Sequence, residues 1–104
     1  MLVLSRKFKE SVIVTCEGCG SLLTVVDFVG DGQVVCNWHD LSDGSCEEVL
    51  LSQDAETELR IGEATFSLKV AEISGRVATL GLDGPTNVRF LRPEAREKVL
   101  ADAT

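Results

Sequence analysis

The 104-residue sequence contains one histidine, and its spacing offers no Ser-His-Asp triad and no paired carboxylates. General acid-base and nucleophilic catalysis both need such groups within hydrogen-bond reach of one another. The glycines of Gly30-Asp31-Gly32 and Asp43-Gly44 are typical of turns, not of a phosphate-binding loop. The sequence therefore predicts a protein that is not an enzyme and needs no cofactor.

Long apolar runs are also absent, since no stretch reaches the roughly 18 residues of a membrane span. The N-terminal segment places Arg6 and Lys7 after its apolar residues, the reverse of a secretory signal. We therefore expect a cytoplasmic protein without membrane contact. In that compartment the four cysteines are expected to be thiols or metal ligands, not disulfides.

Basic residues are scarce, with ten Lys and Arg against seventeen Asp and Glu and a formal net charge of −7. Taken alone, this balance disfavours a nucleic-acid partner, whose phosphates attract cations. Apolar residues make up 44% of the chain, enough for a packed core. The length allows one domain, or two very small repeats that share a core.

What the sequence has is an apolar period of two, in short β-branched runs bounded by Gly or Asp. Gly30-Asp31-Gly32 and Ser74-Gly75 separate neighbouring runs and are typical of hairpin turns. Pro93, Glu94 and Lys98 suit the beginning and end of a helix. The pattern predicts an all-β protein with a short C-terminal helix, with strands near 12–14, 22–29, 33–38, 65–70, 76–80 and 88–91.

Part of the sequence recurs. Residues 2–5, Leu-Val-Leu-Ser, return as Val-Leu-Leu-Ser at 49–52, and Gly32-Gln33-Val34 is echoed by Gly75-Arg76-Val77. This favours an internal duplication. One meandering β domain with similar strands is the alternative.

The cysteines leave several interpretations open. Cys16 and Cys19 form a Cys-x-x-Cys turn, and Cys36 and His39 form a Cys-x-x-His pair, which together have the form of a zinc site. This site requires a hairpin that brings Cys19 and Cys36 to the same end. Without it, the residues are a redox-labile pair or small buried hydrophobes, and no metal is assigned.

The N-terminus Met1-Leu2-Val3-Leu4-Ser5-Arg6-Lys7, with Glu10-Ser11 after it, resembles the opening of carbon storage regulator proteins. Residues 56–62 resemble the second strand and turn of that family. Residues 81–85 and 88–94 resemble its final loop, final strand and helix start. The resemblance implies interlocked antiparallel sheets in a homodimer that binds GGA-containing loops of messenger leaders.

In that family each RNA site joins the first strand of one subunit to the last strand of the other. The resemblance carries RNA contacts over to both segments, and Arg92 matches the key arginine of the family. Arg89 directly precedes the last-strand contact positions and is the remaining basic residue of the candidate site. The implied partner is a messenger leader or a small regulatory RNA with GGA motifs, with a protein antagonist as a further partner. The candidate RNA-binding residues are Leu4, Arg6, Lys7, Arg89, Phe90, Leu91 and Arg92.

The chain is nearly twice as long as family members, which suggests a fused pseudo-dimer of repeats 1–47 and 48–104. The first repeat lacks a recognisable last strand and helix. The second carries Gln53 and Asp54 where the basic pair is expected. One RNA site would survive and the other would be lost. A homodimer in which 15–47 is an insertion, and a protein-interaction module that lost RNA binding, are the alternatives.

Charge placement agrees with a single site. Six of the ten basic residues lie in the two segments expected to meet, whereas 47–63 is acidic apart from Arg60. A basic patch on an acidic body can still attract RNA. The alternative is that these charges only protect an edge strand from aggregation. The six are Arg6, Lys7, Lys9, Arg89, Arg92 and Arg96.

Overall fold

The computed structural model describes residues 2–30 and 32–93, which form nine antiparallel strands and, in that part of the chain, no helical element. The predicted all-β class is confirmed. Pro93 begins the predicted C-terminal helix, whose other positions, 94–104, lie outside the described residues. The strands are β1 (Leu2–Lys7), β2 (Ser11–Cys16), β3 (Cys19–Val29), β4 (Gln33–Asp40), β5 (Cys46–Ser52), β6 (Glu56–Ile61), β7 (Ala64–Ser74), β8 (Val77–Asp83) and β9 (Val88–Leu91).

The strands form two sheets, one with the order β1-β8-β7-β6 and the other with the order β5-β4-β3-β2-β9. Buried and partly exposed residues alternate along β2, β3 and β4, as expected when one face of a sheet covers a core. The apolar core contains Phe66, whose ring lies 5.5 Å from that of Trp38. Within the described ranges, no helix has the length and apolarity to cross a membrane.

The two halves of the chain exchange their first strands. The meander β2-β3-β4 belongs to one sheet and the meander β6-β7-β8 to the other. β1 leaves its own meander and pairs with β8, while β5 pairs with β4 of the first meander. Each half therefore completes the sheet of the other. Residues 15–47 include two inner strands of the five-stranded sheet, β3 and β4.

Local geometry repeats at the same offset in the two meanders. The middle strands carry a register shift at Val25/Asp27 and again at Val70/Glu72. Lys9 and Asp54 both have positive φ, 71° and 64°, and their amides donate to the carbonyls of Val25 and Val70. Non-glycine residues rarely adopt this conformation, so its recurrence is a specific sign of internal symmetry.

This symmetry corrects the alignment of the repeats made from sequence. Because Lys9 corresponds to Asp54, counting back along the two halves of the chain matches Arg6 with Leu51 and Lys7 with Ser52. Gln53 and Asp54 lie in the connection to β6 and do not replace the basic pair. The match of residues 2–5 with 49–52 is displaced by two positions from the structural one. A displacement of two keeps the same side chains on the inward face of a strand, so the apolar pattern does not reveal it.

The symmetry is broken at one edge. β9 pairs with β2, whereas β6, the counterpart of β2, pairs with β7 alone among the strands that the structure describes. One sheet therefore has five strands and the other has four.

Candidate nucleic-acid interface

The three candidate residues of β1 have different environments. Leu4 is part of the core, and Lys7 is exposed. Arg6 points inward and is 4% exposed. Its Nε donates to the carbonyl of Ser5 at 2.7 Å, and one terminal nitrogen donates to the carbonyl of Ser11 at 3.3 Å. Arg6 thus binds the backbone on both sides of the β1–β2 connection, and Lys7 presents its charge to solvent.

The candidate residues of β9 are more accessible. Arg89, Leu91 and Arg92 are exposed, and Leu91 keeps 43% of its surface in solvent. Phe90 is half-buried because its ring packs against Phe66, with centroids 5.3 Å apart in an edge-to-face arrangement. Alternation along β9 directs Val88 and Phe90 toward the core and Arg89 and Leu91 outward.

β1 and β9 belong to different sheets, so they are not hydrogen-bonded neighbours. They are related through β2, because Leu91 pairs with Ile13 and Arg6 binds the carbonyl of Ser11. Two residues of a strand span about 7 Å. The side chain of Arg6 and the C-terminal end of β9 therefore approach the same end of β2, and Arg92 follows directly.

The connection between β1 and β2 adds two residues that the sequence interpretation left out of the site. Phe8 is 42% exposed, and the Nζ of Lys9 lies 5.4 Å from the centre of its ring. This is a cation–π distance. An exposed aromatic ring beside basic residues is typical of a stacking surface for unpaired bases. The signal in the sequence was the adjacency of Phe8 to Lys7 and Lys9.

One carboxylate lies within this connection. Glu10 accepts a hydrogen bond from the backbone amide of Lys7 at 2.7 Å, and its own amide donates to the carbonyl of Lys7. Glu10 closes the turn, which fixes the direction in which the chain leaves β1.

The four-ligand zinc arrangement does not form. Cys36 pairs with Val25 in the middle of the sheet, whereas Cys19 lies beside the β2–β3 turn, about 20 Å away along the strand. His39 lies opposite Cys46 instead. In the described part of the chain, no group of three or more Cys, His, Asp or Glu side chains could hold a metal ion.

Cys36 has the environment of a small buried hydrophobe. It is fully buried, and desolvation raises the pKa of its thiol to about 12. Burial also raises the pKa of Cys16, with smaller contributions from Glu17 and Cys19. Both thiols are therefore protonated and weakly reactive at neutral pH.

A cavity of about 520 Å³ lies between the β2–β3 and β6–β7 turns. It is lined by Cys16 and Cys19 from one half and by Ala64 from the other, with Glu17 and Glu63 among its polar groups. No lysine or arginine lines it. The cavity lacks the cations that phosphate binding requires, which leaves the β1–β2 connection and β9 as the candidate interface.

Comparison of the chain with protein-family models, curated proteins and solved structures yields no match.

Proposed function

We propose that the protein is a single-site RNA-binding regulator that recognises GGA-type loops and controls the translation or stability of a message. The observation that carries the proposal is the strand exchange. It places the first strand of one half and the last strand of the other at a shared end of β2. The resemblance to carbon storage regulators implies an RNA site built from these two strands.

The contacts are divided by exposure. Lys7, Lys9, Arg89 and Arg92 offer accessible cations to phosphates. An arginine can also read the O6 and N7 atoms of guanine with its two-pronged guanidinium group. Phe8 and Leu91 offer exposed apolar surface on which an unpaired base can pack.

Arg6, Leu4 and Phe90 support these contacts from beneath. Arg6 holds two carbonyls around the β1–β2 connection, and Leu4 and Phe90 pack against the core. In this proposal Arg6 is a positioning residue that sets the placement of Lys7 and Phe8.

A second site is not expected at the symmetry-related position. The counterparts of Arg6 and Lys7 are Leu51 and Ser52, which carry no charge, and β6 has no fifth strand beside it in the described ranges. Glu56 and Glu58 on the exposed face of β6 would repel phosphates. One RNA molecule should therefore bind each chain.

Because the protein carries a net charge of −7, we expect RNA to bind at the basic site and not elsewhere on the surface. The field of the acidic body opposes non-specific contact, while the local cations attract an RNA loop at the site. If the exposed arginines served only to protect the β9 edge from aggregation, no preference among RNA sequences would exist.

Titration with a GGA-loop hairpin and with a hairpin of scrambled loop sequence tests the proposal. We expect micromolar or tighter binding to the GGA loop and much weaker binding to the scrambled loop. With four exposed cations on phosphates, log K should fall against log salt with a slope of about −3. Equal affinity for the two hairpins would contradict sequence-specific RNA regulation.

A protein-interaction module is the second candidate function. The observation that favours it is the edge of β6 that no strand covers within residues 2–30 and 32–93, because an uncovered strand edge can accept a strand from another protein. The two functions use different edges and are compatible in one molecule.

A further inference from the structure

The edge of β6 is the symmetry-related counterpart of an edge that the chain itself covers. β2 has β3 on one side and β9 on the other, and the paired positions run from Ile13 with Leu91 to Cys16 with Val88. The matching segment of β6 is Glu58–Ile61, which pairs with β7 on one side. Hydrogen-bonding groups of an antiparallel strand alternate between its two sides, so half of those of β6 face the edge that none of the described strands covers.

Exposure differs between the two strands in the direction expected for a missing neighbour. Along β2 the outward-facing side chains are half-buried, whereas Glu56, Glu58 and Arg60 of β6 are exposed. Among the inward-facing residues, Leu59 is 8% exposed where its counterpart Val14 is 0% exposed, whereas Ile61 is 2% exposed where Cys16 is 5% exposed, so the added exposure of the inward face is confined to Leu59. A strand beside β6 would cover the remaining apolar surface of Leu59.

We propose that this edge is a docking site for an extended segment of another protein that carries a basic residue opposite Glu58 and adds to the four-stranded sheet as β9 adds to the five-stranded one. The register of β9 defines the side chains that fit. A strand in the same register places apolar residues opposite Ile61 and Leu59, and its two outward residues lie opposite Arg60 and Glu58.

Charge selects the occupant. Glu58 and Glu56 lie on the outward face of β6, and Glu63 is exposed in the turn that follows it. Opposite charges on directly facing residues of antiparallel strands are favourable, and like charges are unfavourable. A lysine or arginine opposite Glu58 is therefore preferred to a glutamate there, and an uncharged residue suits the position opposite the exposed Arg60.

The probe is a fluorescein-labelled peptide of sequence GNVTFKSG, designed on β9. In the β9 register its valine faces Ile61, its phenylalanine faces Leu59 and its lysine faces Glu58. The matched control, GNVTFESG, differs only in the charge opposite Glu58. A third peptide carries N-methyl groups on the amides that would face β6, which removes strand pairing and keeps the side chains.

With the full chain, fluorescence anisotropy should detect GNVTFKSG, with GNVTFESG bound about two to five times more weakly and the methylated peptide unbound. The variant Glu58→Lys should reverse the order of the first two peptides. Glu47→Lys, which changes an exposed charge on β5 of the other sheet, should leave the order unchanged. Amide hydrogen exchange of β6 should slow when the peptide binds.

Failure of all three peptides to bind would overturn the proposal, since it would mean that the edge is covered or closed to strands. Equal binding of the methylated peptide would overturn it as well, because the contact would not be strand addition. An unchanged order of the peptides in Glu58→Lys would show that the occupant lies elsewhere. None of these results depends on RNA binding.

Discussion

Arg6 and Leu51 occupy the same position in the two halves of the protein. Arg6 pairs with Ala78 on β8, and Leu51 pairs with Val34 on β4. Both side chains are buried, at 4% and 1% exposure. One half thus uses a charged side chain that binds the Ser5 and Ser11 carbonyls, where the other uses an aliphatic side chain of smaller volume.

This equivalence predicts the response of Arg6 to substitution. Arg6→Ala removes hydrogen bonds to two backbone carbonyls and leaves a void, at a cost of about 2–4 kcal/mol in the free energy of unfolding. Arg6→Leu restores much of the volume in a position whose counterpart already holds leucine. We expect it to cost about half as much, measured by urea denaturation.

Lys7→Ala is the control, because Lys7 is exposed and should change stability by less than about 0.5 kcal/mol. If Arg6→Leu proves as destabilising as Arg6→Ala, the two positions are not equivalent in packing.

Gly62 and Gly75 lie in different turns of the second half and share one backbone conformation. Both have positive φ, 59° and 61°, so alanine is strained at either position. A Cβ on Gly62 would lie 3.1 Å from the Sγ of Cys19, whereas a Cβ on Gly75 meets no atom within 4 Å. Thermal or urea denaturation should find Gly75→Ala destabilised by about 1 kcal/mol and Gly62→Ala by more.

The additional destabilisation of Gly62→Ala over Gly75→Ala should disappear when Gly62→Ala is combined with Cys19→Ala, because the sulfur that crowds the new Cβ is then absent. An excess that persists in the double variant would place its cause elsewhere in the turn.

Thiol reactivity provides a third prediction. Cys46 is exposed, whereas Cys36 is buried and burial raises its pKa to about 12. Because the thiolate is the reactive form, iodoacetamide at neutral pH should modify Cys46 first and leave Cys36 unmodified in the folded protein. Mass spectrometry of peptides from a time course measures the order.

Unfolding in urea should bring the two rates together, because both thiols are then in water. Modification of Cys36 as fast as Cys46 under native conditions would mean that β4 opens readily, although it lies between β5 and β3 in the sheet.

Much of the fold could be predicted because apolar alternation is a local property. The run 22–29 and the run 33–38 are parts of β3 and β4, and Val88–Leu91 is β9 with the predicted bounds. The sequence predicted that residues 2–5 recur at 49–52, and the structure places the match two positions away. The second echo is off by one position, because Val34 corresponds to Ala78 and not to Val77. The alternation of apolar residues determines which face of a strand is buried, but it does not distinguish registers that differ by an even number of residues.

The arrangement of the candidate site depends on contacts between distant parts of the chain, which local patterns do not specify. Nothing in the period of Leu2–Lys7 indicates that β1 pairs with β8. The zinc hypothesis failed for the same reason, because spacing brought Cys19 and Cys36 together and the register of β3 with β4 separates them. The burial of Arg6 was hidden too, since arginine is seldom buried unless paired.

The most direct test of the central claim is the affinity of Arg92→Ala for the GGA hairpin, measured beside wild type and Arg76→Ala at one salt concentration. Arg76 is an exposed arginine in the β7–β8 turn, so it controls for the loss of one positive charge. Loss of an arginine that reads guanine costs about 1–3 kcal/mol, which predicts that Arg92→Ala binds about 5 to 150 times more weakly than wild type. Arg76→Ala should stay within about twofold of wild type, whereas equal losses in the two variants would contradict a specific site at β9.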